Sequence, residues 1–154
     1  MVIKRISVDE CRLVTDLFNK YRVFYNQPPD LELATQYITD RLQNKESVIF
    51  VAFATANNKV VPSGFTQLYP SFSSVRAARN WILNDLYVDE PFRKQGVGEA
   101  LIRTAMNFAK EQGGTWMQLE TATDNHPAQS LYEQTGFVKQ APEEGYFVYR
   151  VPLR

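Results

Sequence analysis

Arg93-Lys94-Gln95-Gly96-Val97-Gly98-Glu99 sets two cationic side chains beside two glycines one residue apart, after an apolar run and directly before a helical pattern. Glycines at that spacing let backbone approach a ligand without obstruction by Cβ, and the helix behind them offers unpaired N–H groups and the positive end of its dipole. The corner suits a phosphate. Two familiar nucleotide motifs do not fit it. Gly98 is followed by Glu99 and Ala100 instead of Lys and a hydroxyl residue, and a dinucleotide fingerprint needs three glycines at wider spacing. Tight packing of a strand–turn–helix corner is the other use of the same glycines.

The elements around this loop follow from hydrophobic spacing. Val2 to Ile6 reads as a strand, and Ser7-Val8-Asp9-Glu10 has the capping-box pattern that opens a helix running to about Tyr25. Pro28-Pro29 ends it, and Asp30 can cap a second helix that carries Leu31, Ala34, Tyr37, Ile38 and Leu42. Ser47 to Ala56, Val60 to Tyr69 and Arg79 to Val88 read as three consecutive antiparallel strands, with Asn57-Asn58-Lys59 as a hairpin turn and Pro70 to Ser74 as a bend. Gly64 marks a bulge or a close contact in the middle strand. After the loop, Val97, Leu101, Ile102, Ala105, Phe108 and Ala109 keep helical spacing as far as Gly113-Gly114, and Thr115 to Thr121 forms the next strand. A strand, a crossover helix and a strand predict one parallel pair. Asp124-Asn125-His126-Pro127 starts a short helix with Ala128, Leu131 and Tyr132 on its inner side, ended by Gly136. Phe137-Val138 and Tyr146 to Val151 supply closing strands around a polar loop, 140–145.

Composition narrows the function classes. The 154 residues read as a single domain, with 17 basic and 17 acidic side chains, so no global field favours nucleic acid. The single cysteine, Cys11, cannot form an internal bridge and has no Cys or His at metal spacing. A reducing cytoplasm and no metal site are expected. No apolar run has signal-peptide or membrane-spanning length, which predicts a soluble protein with no membrane partner.

Two pieces in the right order carry a family likeness. Arg93-x-x-Gly96-x-Gly98 after a strand resembles the acetyl-CoA pyrophosphate loop of the GCN5-related N-acetyltransferase (GNAT) superfamily, and Asn125-x-x-Ala128-x-x-Leu131-Tyr132-Glu133-x-x-Gly136-Phe137 resembles the segment that closes that family's cofactor site. The element order matches along essentially the whole chain. The resemblance implies an α/β (α+β) fold: a mixed, mainly antiparallel sheet of six to seven strands, flanked by helices, whose splayed parallel pair forms a wedge for acetyl-CoA. It implies that Leu86 and Val88 give the pantetheine arm a strand edge to pair with, as a peptide augments a sheet. It implies pyrophosphate binding by amides from Lys94 to Glu99 through Gln95, Gly96, Val97 and Gly98, beside Arg93, and pantetheine contacts at Asn125 and Ala128. Asn125 is equally a good helix cap.

The same resemblance gives Tyr132 the task of protonating the CoA thiolate; its other reading is a core aromatic beside Leu131 and Phe137. An amine must be neutral to attack a thioester, so a carboxylate near the acceptor nitrogen is needed. Asp85 is the first candidate and Glu120 the second, while either also suits a solvent-facing strand position. Asn84 departs from the diamine acetyltransferase branch, which tends to carry an acidic residue there. The acceptor region of the family falls on Tyr21, Phe24, Tyr25, Asp30, Tyr69, Phe72 and Asp85, and aromatic faces with a few carboxylates suit a cationic amine. These residues look like the branch that acetylates polyamines, small amines or the lysine side chains of histone tails. The expectation is direct acetyl transfer to a primary amine in a ternary complex, by a homodimer paired through Tyr146 to Tyr149. A non-catalytic acyl-CoA-binding or regulatory module on the same fold, and nucleotide binding by the glycine loop, are the alternatives.

Overall fold

The computed structural model describes residues 1–141 and 145–153. In chain order, β1 (Val2–Arg5) is followed by a 3-10 turn (Val8–Glu10), α1 (Arg12–Phe24), α2 (Leu31–Gln43), β2 (Val48–Ala56), β3 (Lys59–Ser73) and β4 (Ala78–Val88). A second 3-10 turn (Glu90–Phe92), α3 (Val97–Glu111), β5 (Met117–Gln118) and α4 (His126–Gln134) complete it. The sheet has the order β1-β2-β3-β4-β5. Every neighbouring pair is antiparallel except β4 and β5, the parallel pair that the crossover helix α3 connects.

Alternation along the strands gives each face its own core. Ile49, Val51 and Phe65 pack under α1 and α2 with Val14, Leu17, Phe18, Ala34 and Ile38. Val48, Phe50, Leu68, Trp81 and Leu83 pack under α3 with Leu101, Ile102 and Ala105. A two-residue period is enough to build both layers from the same strands. Gly64 sits where β3 meets α3. A Cβ there would stand 2.8 Å from the Tyr87 carbonyl oxygen and 3.2 Å from Val97 Cγ1, so glycine lets the first turn of α3 lie against the sheet. The ladder to β2 also skips a residue beside it, between Ala52 and Phe53, so both readings of Gly64 hold.

The structure corrects several boundaries. Glu10 accepts from the Ser7 N–H and hydroxyl, each at 3.1 Å, as a capping box does, but the turn it closes is 3-10 and α1 begins only at Arg12. The expected bend at Pro70 is strand, because β3 runs on to Ser73 with Pro70 opposite Trp81. β2 ends at the Val48–Leu68 pair, so β3 beyond Leu68 has a strand neighbour on one side alone, where the missing proline N–H is tolerated. β5 is shorter than expected, pairing with β4 only at Trp81–Met117 and Ile82–Gln118.

Five strands pair among the described residues, against six or seven expected. Neither Phe137-Val138 nor Tyr146 to Val151 is a strand, and part of the polar loop between them, 142–144, lies outside the described residues. Tyr146 to Tyr149 are all more than three-quarters exposed. Their composition fits a pleated surface, but strand structure also requires a neighbouring edge, and none covers them here.

Candidate active site

The ladder between β3 and β4 takes one step. Leu68 pairs with Leu83 and Gln67 with Asp85, so Asn84 is an extra residue on β4. Such a bulge re-aims the side chains beside it. Asp85 turns toward α1 and is 2% exposed. Its carboxylate accepts from Gln67 Nε2 at 2.5 Å and from Asn84 Nδ2 at 2.7 Å, with the Tyr21 hydroxyl nearby. Burial raises its pKa above the ordinary carboxylate value, against the lowering effect of Asn84, Gln67 and Tyr21. Tyr21 also reaches the Asn84 carbonyl oxygen at 3.4 Å.

Aromatic residues of both helices gather over this carboxylate. Tyr21 meets Tyr25 edge-on at 5.0 Å, and the Tyr37 and Tyr69 hydroxyls are 2.7 Å apart. Burial first, then the Asp85 charge, pushes the Tyr21 phenol up, and burial does the same to Tyr69, so both stay protonated. From α4, Tyr132 comes close enough for Tyr25 to act on it electrostatically, though burial is the larger cause raising its pKa to about 12. Its ring packs edge-on against Phe137 at 5.8 Å. Tyr21 from α1 and Asp85 from β4 therefore lie together, with Tyr25 against Tyr21 just after α1, while Tyr132 approaches from α4.

The loop after β4 forms an amide-lined corner. Gly96 is the N-cap of α3 at φ +82° and offers no side-chain cap, so the first-turn N–H groups lack intrahelical partners. Lys94 also has positive φ, at 61°. Arg93 Nε donates to the Val88 carbonyl at 2.8 Å, and Gln95 Nε2 to the Pro91 carbonyl at 3.3 Å. A Cβ on Gly98 would meet Leu131 Cδ2 at 3.1 Å, so this glycine brings α4 against the loop. Glu99 pairs with Arg103 at 2.9 Å, one turn on. Lys20 Nζ holds Asp89 Oδ2 at 2.9 Å, tying α1 to the turn before the loop.

Between the loop and the bulge, β4 has an open side. β5 leaves it after Ile82, and among the described residues no strand pairs with Leu83 to Val88 on that side, which includes Leu86 and Val88. An extended chain ending in phosphates fits this arrangement: main-chain groups along the open edge, then a donor-rich helix N-terminus.

The remaining sequence candidates fall elsewhere or serve structure. Asn125 caps α4, its Oδ1 accepting from Ala128 N at 3.3 Å, which leaves its amide nitrogen uncommitted to the cap. Asp30 caps α2 through Leu33 N at 3.0 Å, and its own N–H is held by Asn19 Oδ1. Phe24 is exposed, with the Arg93 guanidinium 6.0 Å from its ring. Phe72 lies at the far end of β3 under Arg79, away from Asp85. Glu120 is exposed beyond β5. Gln67 and Tyr37 were not legible as site residues. One reads as a polar residue in a strand, the other as one more apolar position of α2. A cavity of about 520 Å³ bounded by Arg5, Ser47, Arg79, Trp81 and Phe108 lies at the other end of β4 and shares none of the candidate residues. Among the described residues no group of three metal-ligating side chains converges, and no helix is long and apolar enough to cross a membrane.

The model of the "Acetyltransferase (GNAT) family" matches residues 12–137. An "Uncharacterized N-acetyltransferase YhfO" of Bacillus subtilis is 42% identical over 137 residues, 89% of each chain. A "Probable acetyltransferase" of Haemophilus influenzae is 32% identical over 131 residues, 85% of each chain. The crystal structure of a "probable acetyltransferase" superposes with a TM-score of 0.87 at 38% identity, covering 99% of both chains.

Proposed function

The chain belongs to the acetyltransferase (GNAT) family and is an acyltransferase, and from that premise we propose that it moves an acetyl group from acetyl-CoA directly to a primary amine, both bound at once. The observation that carries this reading is the open side of β4, which runs from the Arg93–Gly98 corner to the bulge at Asn84 and ends beside Asp85 and Tyr21. Main chain at Leu86 and Val88 and the amides of Lys94 to Glu99 hold the donor, with Asn125 and Ala128 on its other side. When bound, acetyl-CoA supplies an activated thioester.

The protein's own groups move two protons. Asp85 is too buried to touch an acceptor, so the Tyr21 hydroxyl passes its proton to the Asp85 carboxylate while receiving the one released by the amine. Main-chain N–H near Val88 polarises the carbonyl under attack. The Tyr132 hydroxyl, protonated because burial raises its pKa, donates to the departing thiolate. Tyr21, Tyr25 and Tyr69 form an aromatic wall that suits a cationic side chain of a polyamine, small amine or lysine. Exposed Tyr146 to Tyr149 would pair two copies of this cytoplasmic enzyme, which a dimeric mass in light scattering would support. The principal test is CoA release with acetyl-CoA against polyamines, amino acids, aminoglycosides and lysine peptides. Release stimulated by one amine class is expected; tight acetyl-CoA binding with no release from any amine would make the chain a non-catalytic acyl-CoA-binding module.

A further inference from the structure

Gln67 is fully buried inside the sheet, opposite Asp85 on the neighbouring strand. Its Nε2 donates to Asp85 Oδ2, whereas its Oε1 is buried with no hydrogen-bond partner among the described residues. A buried amide normally engages both ends. The groups facing Asp85 are Asn84 on its own strand, Tyr21 from α1 and, beyond these, Tyr69 from β3, whose hydroxyl meets Tyr37 of α2 below Arg41. Among them no lysine or arginine bonds to the carboxylate.

An ionised carboxylate accepts only, and this pocket offers it two amide donors with the Tyr21 hydroxyl beside them. Once protonated it must donate, and Asn84 Nδ2 and Gln67 Nε2 cannot receive. The Tyr21 hydroxyl oxygen can, and so can the idle Gln67 oxygen on the side of Oδ2. Rotation about the last side-chain torsion, which is broad and two-fold for Gln, exchanges the positions of Nε2 and Oε1 while the chain stays in place.

We infer that Gln67 is a positioning residue whose amide turns over with each proton delivered to Asp85, donating through Nε2 to the carboxylate and accepting through Oε1 from the carboxylic acid. The inference rests on Asp85 being the proton acceptor. It explains why an uncharged amide, able to serve either state, stands where a lysine or arginine would favour the ionised one alone.

The test combines NMR on the wild-type protein with kinetics. The side-chain ¹H–¹⁵N resonances of Gln67 should titrate with the same midpoint as the acid limb of kcat/KM, and should be independent of pH in Asp85→Asn. Gln67→Met keeps the volume and removes both the donor to the carboxylate and the acceptor from the acid. Its acid limb should therefore stay close to the wild-type position with the acetyl-CoA KM unchanged. A move to higher pH by roughly one unit would show an amide that serves the ionised form alone and would overturn the inference. Gln67 resonances that ignore pH while the acid limb stands would overturn the inference and leave Asp85 as base. Full turnover in Asp85→Asn would instead sink the reading of Asp85, and the inference with it. If Gln67→Met does not fold, the wild-type titration alone decides.

Discussion

Gln67 and Asp85 face each other across β3 and β4 at the one step in their ladder, with 2.5 Å between amide nitrogen and carboxylate. Both are buried, and among the described residues no cation bonds to the acid. An ionised carboxylate in such a place lowers stability even with its donors satisfied. Its folded pKa lies above the unfolded value, so its contribution is most favourable below the unfolded value and is lost as pH rises through the folded one. Asp85→Asn should therefore melt higher than wild type at neutral pH, by about 2–4 °C if about 1 kcal/mol is recovered. The gap should narrow as the pH falls and wild-type Asp85 takes up its proton. CoA-forming turnover should drop about 10²–10⁴-fold in the same variant. Thermal melts over a pH series, read beside the activity assay, check both; a lower melting point at neutral pH contradicts the account.

Tyr132→Phe separates acid chemistry from packing. The ring contact with Phe137 survives the change, so melting temperature and the acetyl-CoA KM should hold within error. Loss of the hydroxyl should lower kcat about 10²–10³-fold, the size of a general-acid effect. With its pKa at about 12, wild-type Tyr132 should produce no basic limb up to about pH 10. A phenylalanine variant with wild-type kcat would return Tyr132 to the core.

Two glycines, one in β3 beneath the start of α3 and one within the loop, should fail differently. Gly64→Ala would drive a Cβ to 2.8 Å from the Tyr87 carbonyl oxygen, a backbone atom that cannot step aside. It should cost about 1–3 kcal/mol of stability by overpacking, visible in denaturant melts. Gly96→Ala meets no atom but must keep φ +82°. Its effect should concentrate on the loop, weakening CoA binding in calorimetry more than it lowers the melting point. Equal effects on both readouts for both variants would show that the loop conformation has no special part in binding.

What the sequence revealed of the fold is set by which interactions are local. Helical spacing, the Asp30 cap and the α3 crossover depend on near neighbours, and they placed the helices and the parallel pair. Pro70 misled because its tolerance depends on β2 ending at Val48, a fact of the sheet rather than of residues 68–74. The loop and Asn125 segment were legible as motifs. The arrangement around Asp85 was not: the bulge at Asn84 arises from pairing, and only pairing brings Gln67 to the carboxylate and Tyr37 to Tyr69.

Tyr37→Phe tests whether that aromatic group contacts the acceptor. The Phe18 stacking at 5.4 Å and the Arg41 guanidinium 4.7 Å from the ring centroid do not depend on the hydroxyl, so α2 should stay docked. What is lost is the 2.7 Å hydrogen bond to Tyr69, whose half-buried hydroxyl is then left without its partner. A net loss of about 0.5–1.5 kcal/mol, the value of a single hydrogen bond, corresponds to roughly two- to tenfold. If Tyr69 lines the acceptor pocket, that loss should appear in the acceptor KM, while the acetyl-CoA KM, set along β4 and the loop, stays put. Initial-rate kinetics with each substrate varied in turn distinguishes the cases. An increase confined to the acetyl-CoA KM would move Tyr69 to the donor side, and no change in either would leave the Tyr37–Tyr69 bond as a support between α2 and β3.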